Sequence, residues 1–175
     1  MSDWKQARVD AALRGENLTV IARLPEAFAA IGDVQWLPGY SVLLTDDPGT
    51  TALSDLPRSR RLAYLESVDR LSCAVETACR QADSGFRRVN IEILGNTDTF
   101  LHTHIWPRYE WEPEQYKRMP VWLYPADRDA SLPGLLTRAT HLLVPSRPSS
   151  RAQNREVSPG RRSIAFAAAF PFSAA

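Results

Sequence analysis

The feature that most constrains the fold is residues 88–108, where polar and apolar residues alternate along two short segments. Side chains of a β-strand point alternately to the two faces of a sheet, so this alternation predicts strands over residues 87–94 and 99–106. Between them lies Gly-Asn-Thr-Asp at residues 95–98, a composition typical of turns. The stretch therefore predicts an antiparallel hairpin.

The second predicted strand carries two of the three histidines of the chain, His102 and His104. Their spacing of two places both imidazoles on one face, while Leu101, Thr103 and Ile105 point to the other. We therefore expect one face to lie on the core and the histidine face to lie under a ligand. Amide, hydroxyl and backbone N–H donors of the adjacent turn make a phosphate a suitable ligand.

Two other interpretations of the histidine pair stay open at this point. Imidazole is a common metal ligand, but zinc usually takes three or four protein ligands, and no nearby residues complete such a set. Surface histidines with ordinary hydrogen bonds are the other interpretation. We expect no protein-bound metal.

The remaining elements predict an α+β fold. Apolar residues at three- and four-residue intervals mark one long helix over residues 58–83, with a stripe that we expect to be buried. A short helix is predicted over residues 3–14, with Gly15 ending it. The fold expected is an antiparallel sheet of about five strands with the long helix on one face. The three further strands are at residues 18–24, 28–33 and 40–44, and the stripe is Leu62, Leu65, Val68, Leu71, Val75 and Ala78.

Composition divides the chain into a domain at residues 1–129 and an atypical tail at residues 130–175. The whole chain is 44% apolar and 23% charged, as in soluble globular proteins. The tail is rich in Pro, Ser and Arg, with six arginines and one acid, Glu156. Disorder, docking through its phenylalanines and an altered reading frame are all open for it. Because the two cysteines suggest no disulfide framework and no signal peptide or membrane span is seen, we expect a cytoplasmic protein without membrane or nucleic-acid partners.

Residues 100–108, FLHTHIWPR, resemble the signature of the histidine-triad (HIT) superfamily, His-x-His-x-His, with Phe100 in place of the first histidine. Two flanking markers support this alignment. Pro107 follows His104 by three residues, as a proline follows the third histidine in HIT hydrolases of diadenosine tetraphosphate. Gly-Asn-Thr at residues 95–97 stands where the family has Gly-Gln-Ser/Thr. In this alignment His102 is the central, nucleophilic histidine and His104 the third.

A second alignment makes His102 the first histidine and His104 the nucleophile, with Trp106 in the third place. It resembles the His-x-His-x-Gln branch, which transfers nucleotides between sugars and phosphates. The resemblance covers about residues 15–125.

The resemblance implies a nucleoside pocket as well. Asp33 matches the acid that accepts hydrogen bonds from ribose hydroxyls, and Ile31 and Trp36 are candidates for the base pocket. Tyr40 stands where the family often has a further histidine. Asn90, Asn96 and Thr97 are implied phosphate-binding residues. For Arg108 we weigh a contact with a distal phosphate against a solvated arginine at a strand end.

The implied activity is a nucleotide hydrolase that cleaves dinucleoside polyphosphates through a nucleotidyl-histidine. The family often orients the nucleophile through a backbone carbonyl. Mg²⁺ is expected only with the substrate, and relatives are commonly homodimers. Loss of the histidines at positions 100 and 40 leaves two alternatives: a nucleotidyl transferase or phosphorylase with His104 as nucleophile, and a nucleotide-binding module without turnover.

Overall fold

The computed structural model describes residues 7–124, which form one antiparallel sheet and two α-helices. Short 3-10 turns at Leu53–Asp55 and Val121–Leu123 complete the regular structure of this part of the chain. The helices are α1 (Arg8–Leu13) and α2 (Arg58–Ala82), and the strands are β1 (Val20–Leu24), β2 (Ala27–Ile31), β3 (Ser41–Thr45), β4 (Phe86–Glu92) and β5 (His102–Tyr109).

The sheet has the strand order β1-β2-β3-β5-β4, so β5 lies between β3 and β4. Every neighbouring pair is antiparallel, and Ile105 of β5 lies opposite Ser41 on one side and Ile91 on the other. The predicted α+β fold with five strands and one long helix is therefore confirmed. Each predicted strand overlaps an observed one.

β5 begins and ends three residues later than the predicted strand at residues 99–106. Its continuation includes Pro107, which cannot donate a ladder hydrogen bond. The pairing with β3 stops at Ile105, however, and Pro107 pairs only with Val89 of β4. One side of β5 is thus an edge at this point, where a proline is tolerated.

Helix α2 covers one face of the sheet and buries the main core against it. Its buried side carries Tyr64, Val68, Leu71, Val75 and Cys79, which recur at three- and four-residue intervals. The predicted stripe had the wrong phase at its beginning. Leu62 and Leu65 are exposed, because Tyr64 and Ser67 face inward.

Hydrogen bonds explain why these two polar residues lie inside. The hydroxyl of Tyr64 lies 2.8 Å from that of Thr103, and Ser67 donates to the carbonyl of Pro25 at 2.7 Å. Buried polar groups with partners cost little, so they can displace leucines from the core side.

The opposite face of the sheet carries the histidines and is partly covered by two segments. Ala12 of α1 packs with Phe28, Ala30 and Leu44, which brings this short helix onto the histidine face. Gly15 follows α1 with a φ of +73°, as expected for a glycine that ends a helix. Aromatic and apolar residues after β5 cover another part of this face, packing with Tyr40 and Trp106.

Arg108 holds the segment after β5 in place, and both interpretations offered for it were wrong. Its guanidinium is buried and pairs with Glu112, with Nε 3.0 Å from each carboxylate oxygen. It also donates to the carbonyls of Tyr116, Lys117 and Met119. These bonds satisfy its donors within the protein, so Arg108 is a structural residue.

Several predictions fall outside the described residues. These are residues 3–6 of the first helix and the tail at residues 130–175. Within residues 7–124, no helix is both long and apolar enough to cross a bilayer.

Candidate active site

A cavity of about 190 Å³ opens on the histidine face between α1, the end of β2, β3 and β5. It brings together four residues that the sequence predicted as site residues: Ile31, Asp33, His102 and His104. The two histidines come from β5. Ile31 is the last residue of β2, and Asp33 follows it by two residues. The complete lining is Arg8, Thr19, Ala30, Ile31, Gly32, Asp33, Val34, Tyr40, Val42, Leu44, Asp98, Phe100, His102 and His104.

His102 is held in one tautomer by the backbone of its own strand. The ring is 5% exposed, and its Nδ1 lies 2.9 Å from the carbonyl oxygen of Phe100. A carbonyl oxygen can only accept a hydrogen bond, so Nδ1 carries the proton. In the neutral ring Nε2 is then an unprotonated nitrogen with a free lone pair, as a nucleophile requires.

His104 lies beside His102, with ring centroids 4.8 Å apart and the rings nearly perpendicular. Its Nδ1 is 2.7 Å from the hydroxyl of Tyr40. Burial, and secondarily the neighbouring His102, lowers the pKa of His104 to about 4. Its imidazole is therefore neutral at pH 7.

The Tyr40 ring is fixed from both sides. It stacks on Trp106 with centroids 3.5 Å apart and planes 5° from parallel. On the other side it lies where a side chain of Gly32 would be, since a Cβ on that glycine would fall 2.0 Å from the ring. Gln35 donates to the carbonyls of both Gly32 and Tyr40, which ties their backbones together.

Asp33, the predicted ribose acceptor, forms an ion pair with Arg8 of α1. Arg8 Nη1 donates to Asp33 Oδ1 at 3.0 Å, and Nη2 donates to Oδ2. This hydrogen bond is the largest cause of a raised pKa of Arg8, which keeps the guanidinium charged. Each carboxylate oxygen retains further acceptor capacity, so the pair leaves Asp33 able to accept from a ligand.

The predicted phosphate-binding residues lie apart from this cavity. Asn96 and Thr97 are exposed in the loop between β4 and β5, and Asn90 lies on β4 opposite Trp106. From that loop the residue that lines the cavity is Asp98. The phosphate-binding roles of Asn90, Asn96 and Thr97 stay predictions.

Solved structures with the same architecture identify the fold. A histidine triad protein from Sinorhizobium meliloti 1021 is 18% identical, with a TM-score of 0.51 over 70% of this chain and 87% of that one. Histidine triad proteins from Marinobacter aquaeolei VT8 and Bradyrhizobium japonicum are each 21% identical, with TM-scores of 0.50 and 0.51 and with 89% and 90% of their chains covered.

The chain has the histidine-triad fold. Comparison of the sequence with protein-family models and with curated proteins gave no match. The relationship is therefore one of fold. At these sequence identities, a shared fold does not establish a shared activity. The sequence resemblance to histidine-triad proteins pointed to the correct architecture.

The preferred alignment of the sequence predicts that the position of the first histidine is occupied by Phe100. Its ring centroid is 5.2 Å from that of His102, and it is partly buried against the cluster of Phe28 and Leu44. Its backbone carbonyl, which any residue could supply, is the group that orients His102. The orientation of His102 therefore does not depend on the side chain at position 100.

Sequence reasoning missed three polar or charged lining residues of the cavity, Arg8, Thr19 and Asp98. Arg8 precedes the part of the chain that resembles the family, and no local pattern relates it to Asp33. Asp98 was noticed only as a turn residue. The hydroxyl of Tyr40 could have been anticipated, because the family often has a histidine at that position.

Proposed function

We propose that the protein is a nucleotide hydrolase that cleaves dinucleoside polyphosphates or related nucleoside phosphates through a nucleotidyl-histidine on His102. The observation that carries the proposal is the hydrogen bond from His102 Nδ1 to the carbonyl of Phe100. It leaves Nε2 as the nucleophilic nitrogen of a histidine that lines a cavity together with a predicted ribose acceptor.

The reaction proceeds in two displacements at phosphorus. Nε2 of His102 attacks the α-phosphate, a P–N bond forms, and the P–O bond to the leaving phosphate group breaks. Water then attacks the same phosphorus, the P–N bond breaks, and His102 is released. Splitting the reaction in this way replaces one difficult step by two easier ones.

His104 supports this chemistry as a hydrogen-bond donor to the phosphate oxygens. The negative charge on these oxygens must be stabilised as the attacking bond forms, and a fixed donor does this without reorganisation. Asp33 would accept from the ribose hydroxyls, and Ile31 would contact the base. Asn90 on β4, and Asn96 and Thr97 in the loop between β4 and β5, would assist only if a bound phosphate reaches them. Mg²⁺ would arrive with the substrate, as polyphosphates commonly carry it.

Intact-mass spectrometry after brief mixing with diadenosine tetraphosphate tests this proposal. We expect a nucleotidyl increment on wild-type protein that maps to His102 and is absent from His102→Ala. His104→Ala should still form the adduct, with turnover lower by about 10²–10³-fold, as for loss of one oxyanion donor. Parallel reactions with inorganic phosphate distinguish hydrolysis from phosphorolysis.

Two other functions correspond to other outcomes of the same experiment. An adduct on His104 that persists in His102→Ala would indicate the transferase or phosphorylase branch. That branch requires His104 to carry its proton on Nδ1 and to donate it to the hydroxyl of Tyr40, so that Nε2 keeps a lone pair. Nucleotide binding without adduct or product would indicate a binding module. The observation in favour of this function is a phenylalanine at position 100, where the resemblance expects the first histidine.

We also propose that the protein is a homodimer that pairs through the edge of the sheet at β4. This strand has no neighbour on its outer side within the described sheet. It exposes Ile91, and Ile93 beyond its end is exposed as well, at 47% and 40%. Exposed apolar edge strands are prone to pairing. Light scattering coupled to gel filtration should give twice the chain mass, and Ile91→Lys should reduce it to that of one chain.

A further inference from the structure

Tyr40, which lines the cavity beside His104, has a hydroxyl in a defined position. The Tyr40 ring is 6% exposed and is held between Trp106 and the backbone of Gly32. Its hydroxyl therefore has little freedom to move away from His104. The 2.7 Å separation between this oxygen and His104 Nδ1 is that of a strong hydrogen bond.

The direction of this bond follows from what each partner can donate. Burial raises the pKa of Tyr40, so the phenol keeps its proton at neutral pH. Among residues 7–124, His104 is the group that the hydroxyl contacts by a hydrogen bond. A buried hydroxyl that accepted from His104 instead would leave its own proton without a partner in the protein, which is unfavourable.

We infer that Tyr40 is a positioning residue that donates to His104 Nδ1 and thereby fixes the proton of His104 on Nε2. His102 and His104 are then held in opposite tautomers on one face of β5. His102 presents a lone pair on Nε2, because the carbonyl of Phe100 takes the proton of Nδ1. His104 presents an N–H on Nε2, because Tyr40 occupies Nδ1.

The opposite tautomers give the two histidines different chemistry. The first can attack phosphorus and the second can donate to a phosphate oxygen, with no proton transfer needed before substrate arrives. This catalytic consequence depends on the function proposed above, whereas the tautomers themselves do not. In this protein the group that occupies Nδ1 of His104 is the hydroxyl oxygen of Tyr40.

Nitrogen-15 NMR of histidine-labelled, full-length protein at pH 7 tests the inference without substrate. Loss of one set of signals in His104→Gln assigns His104 among the three histidines. In the wild type we expect a protonated Nε2 and an unprotonated Nδ1 on His104, and the reverse on His102. Tyr40→Phe should convert His104 to a mixture of tautomers and leave His102 unchanged.

Tyr64→Phe is the matched control, because it removes a buried tyrosine hydroxyl that bonds to Thr103 on the other face of β5. It should leave both histidine tautomers as in the wild type. Gly32→Ala is a second way to separate Tyr40 from His104. The added methyl group must displace the Tyr40 ring, while the hydroxyl is kept. We expect it to have the same effect on His104 as Tyr40→Phe.

The inference is overturned if His104 of the wild-type protein carries its proton on Nδ1. This result does not depend on whether Tyr40→Phe or Gly32→Ala folds. An unchanged His104 in folded Tyr40→Phe overturns it as well. If the tautomers are as expected but no nucleotidyl adduct forms, the proposed function fails while the inference stands. With an active enzyme, Tyr40→Phe should lower turnover by about 10–100-fold, typical of losing the partner that orients a site histidine.

Discussion

Arg8 and Asp33, which both line the candidate nucleoside cavity, form an ion pair with two hydrogen bonds, although their positions differ by 25 in the chain. The pair joins α1 to the end of β2, so a helix outside the sheet contributes to the site. The residues that line this cavity include one permanently cationic side chain, Arg8, and two carboxylates, Asp33 and Asp98.

Replacing Arg8 should weaken nucleotide binding. Without the guanidinium, the cavity keeps two carboxylates, and Asp33 loses the partner that orients it. We expect Arg8→Ala to raise the Kd for adenosine monophosphate about tenfold, the effect of losing one moderate charged interaction. Calorimetric titration measures this, with Arg14→Ala as control because Arg14 lies just after the same helix and pairs with Glu16. Tighter binding by Arg8→Ala would show that Arg8 instead competes with the ligand for Asp33.

Asp33 should discriminate ribose from sugars that lack its hydroxyls. Hydrogen bonds to an ionised carboxylate contribute about 1.5–3 kcal/mol, so wild-type protein should bind adenosine monophosphate about 10–100-fold more tightly than its 2′,3′-dideoxy analogue. Asp33→Ala should reduce this ratio to near one. Asp47→Ala, which changes an aspartate that pairs with Arg60 away from the cavity, is the control. An undiminished ratio in Asp33→Ala would place the ribose elsewhere.

The depressed pKa of His104 should make the protein less stable in mild acid. An unfolded histidine takes up a proton near pH ~6.5, whereas folded His104 does so only near pH 4. Between these values the unfolded state binds more protons, so the free energy of unfolding falls as pH decreases from 6.5 to 4. We expect this contribution to be about 1–2 kcal/mol, since solvent screens part of the effect on a partly exposed ring.

Urea unfolding at pH 7, 5.5 and 4.5 measures this contribution by comparing wild-type protein with His104→Gln. The variant lacks the titrating ring, so its stability should decrease less over this range. Carboxylates titrate equally in both proteins and cancel in the comparison. Parallel pH profiles for the two proteins would contradict the assigned pKa.

Breaking the ion pair between Arg108 and Glu112 should destabilise the fold severely. The side chains are 5% and 0% exposed, and removing one partner leaves the other charge buried. Arg108→Ala should therefore lower the free energy of unfolding by about 3–5 kcal/mol. Arg87→Ala removes a more exposed arginine of the neighbouring strand that pairs with Glu110, and it should cost less than about 1 kcal/mol. Similar losses in the two variants would show that Arg108 does not anchor the segment after β5.

The sheet and the histidine face could be predicted because both depend on local alternation. His102 and His104 share a face with Phe100 and Trp106, while Leu101 and Ile105 enter the core, as the spacing of two requires. The phase of α2 was harder to predict. Tyr64 and Ser67 are buried through hydrogen bonds to Thr103 and Pro25, and such bonds depend on tertiary neighbours that no helical period shows.

The contacts that could not be predicted are those set by how segments fold back on one another. Nothing near Arg8 in the sequence indicates Asp33, which is 25 residues away. Glu112 is only four residues from Arg108, but no local pattern shows that it and three backbone carbonyls would enclose the guanidinium. In both cases a charged side chain was judged by its immediate neighbours. Its environment is instead set by how α1 and the segment after β5 pack on the sheet.

The contact of the Tyr40 ring with Gly32 and Trp106 has a consequence for how this site can diverge among related chains. A smaller ring at position 40 would leave space against Trp106, and any side chain at position 32 would require the tyrosine to leave. Changes at these three positions are therefore expected to be inherited together. A related chain with a smaller ring at position 40 should also carry a different residue at 106, and only a chain without this tyrosine is free to replace the glycine at 32.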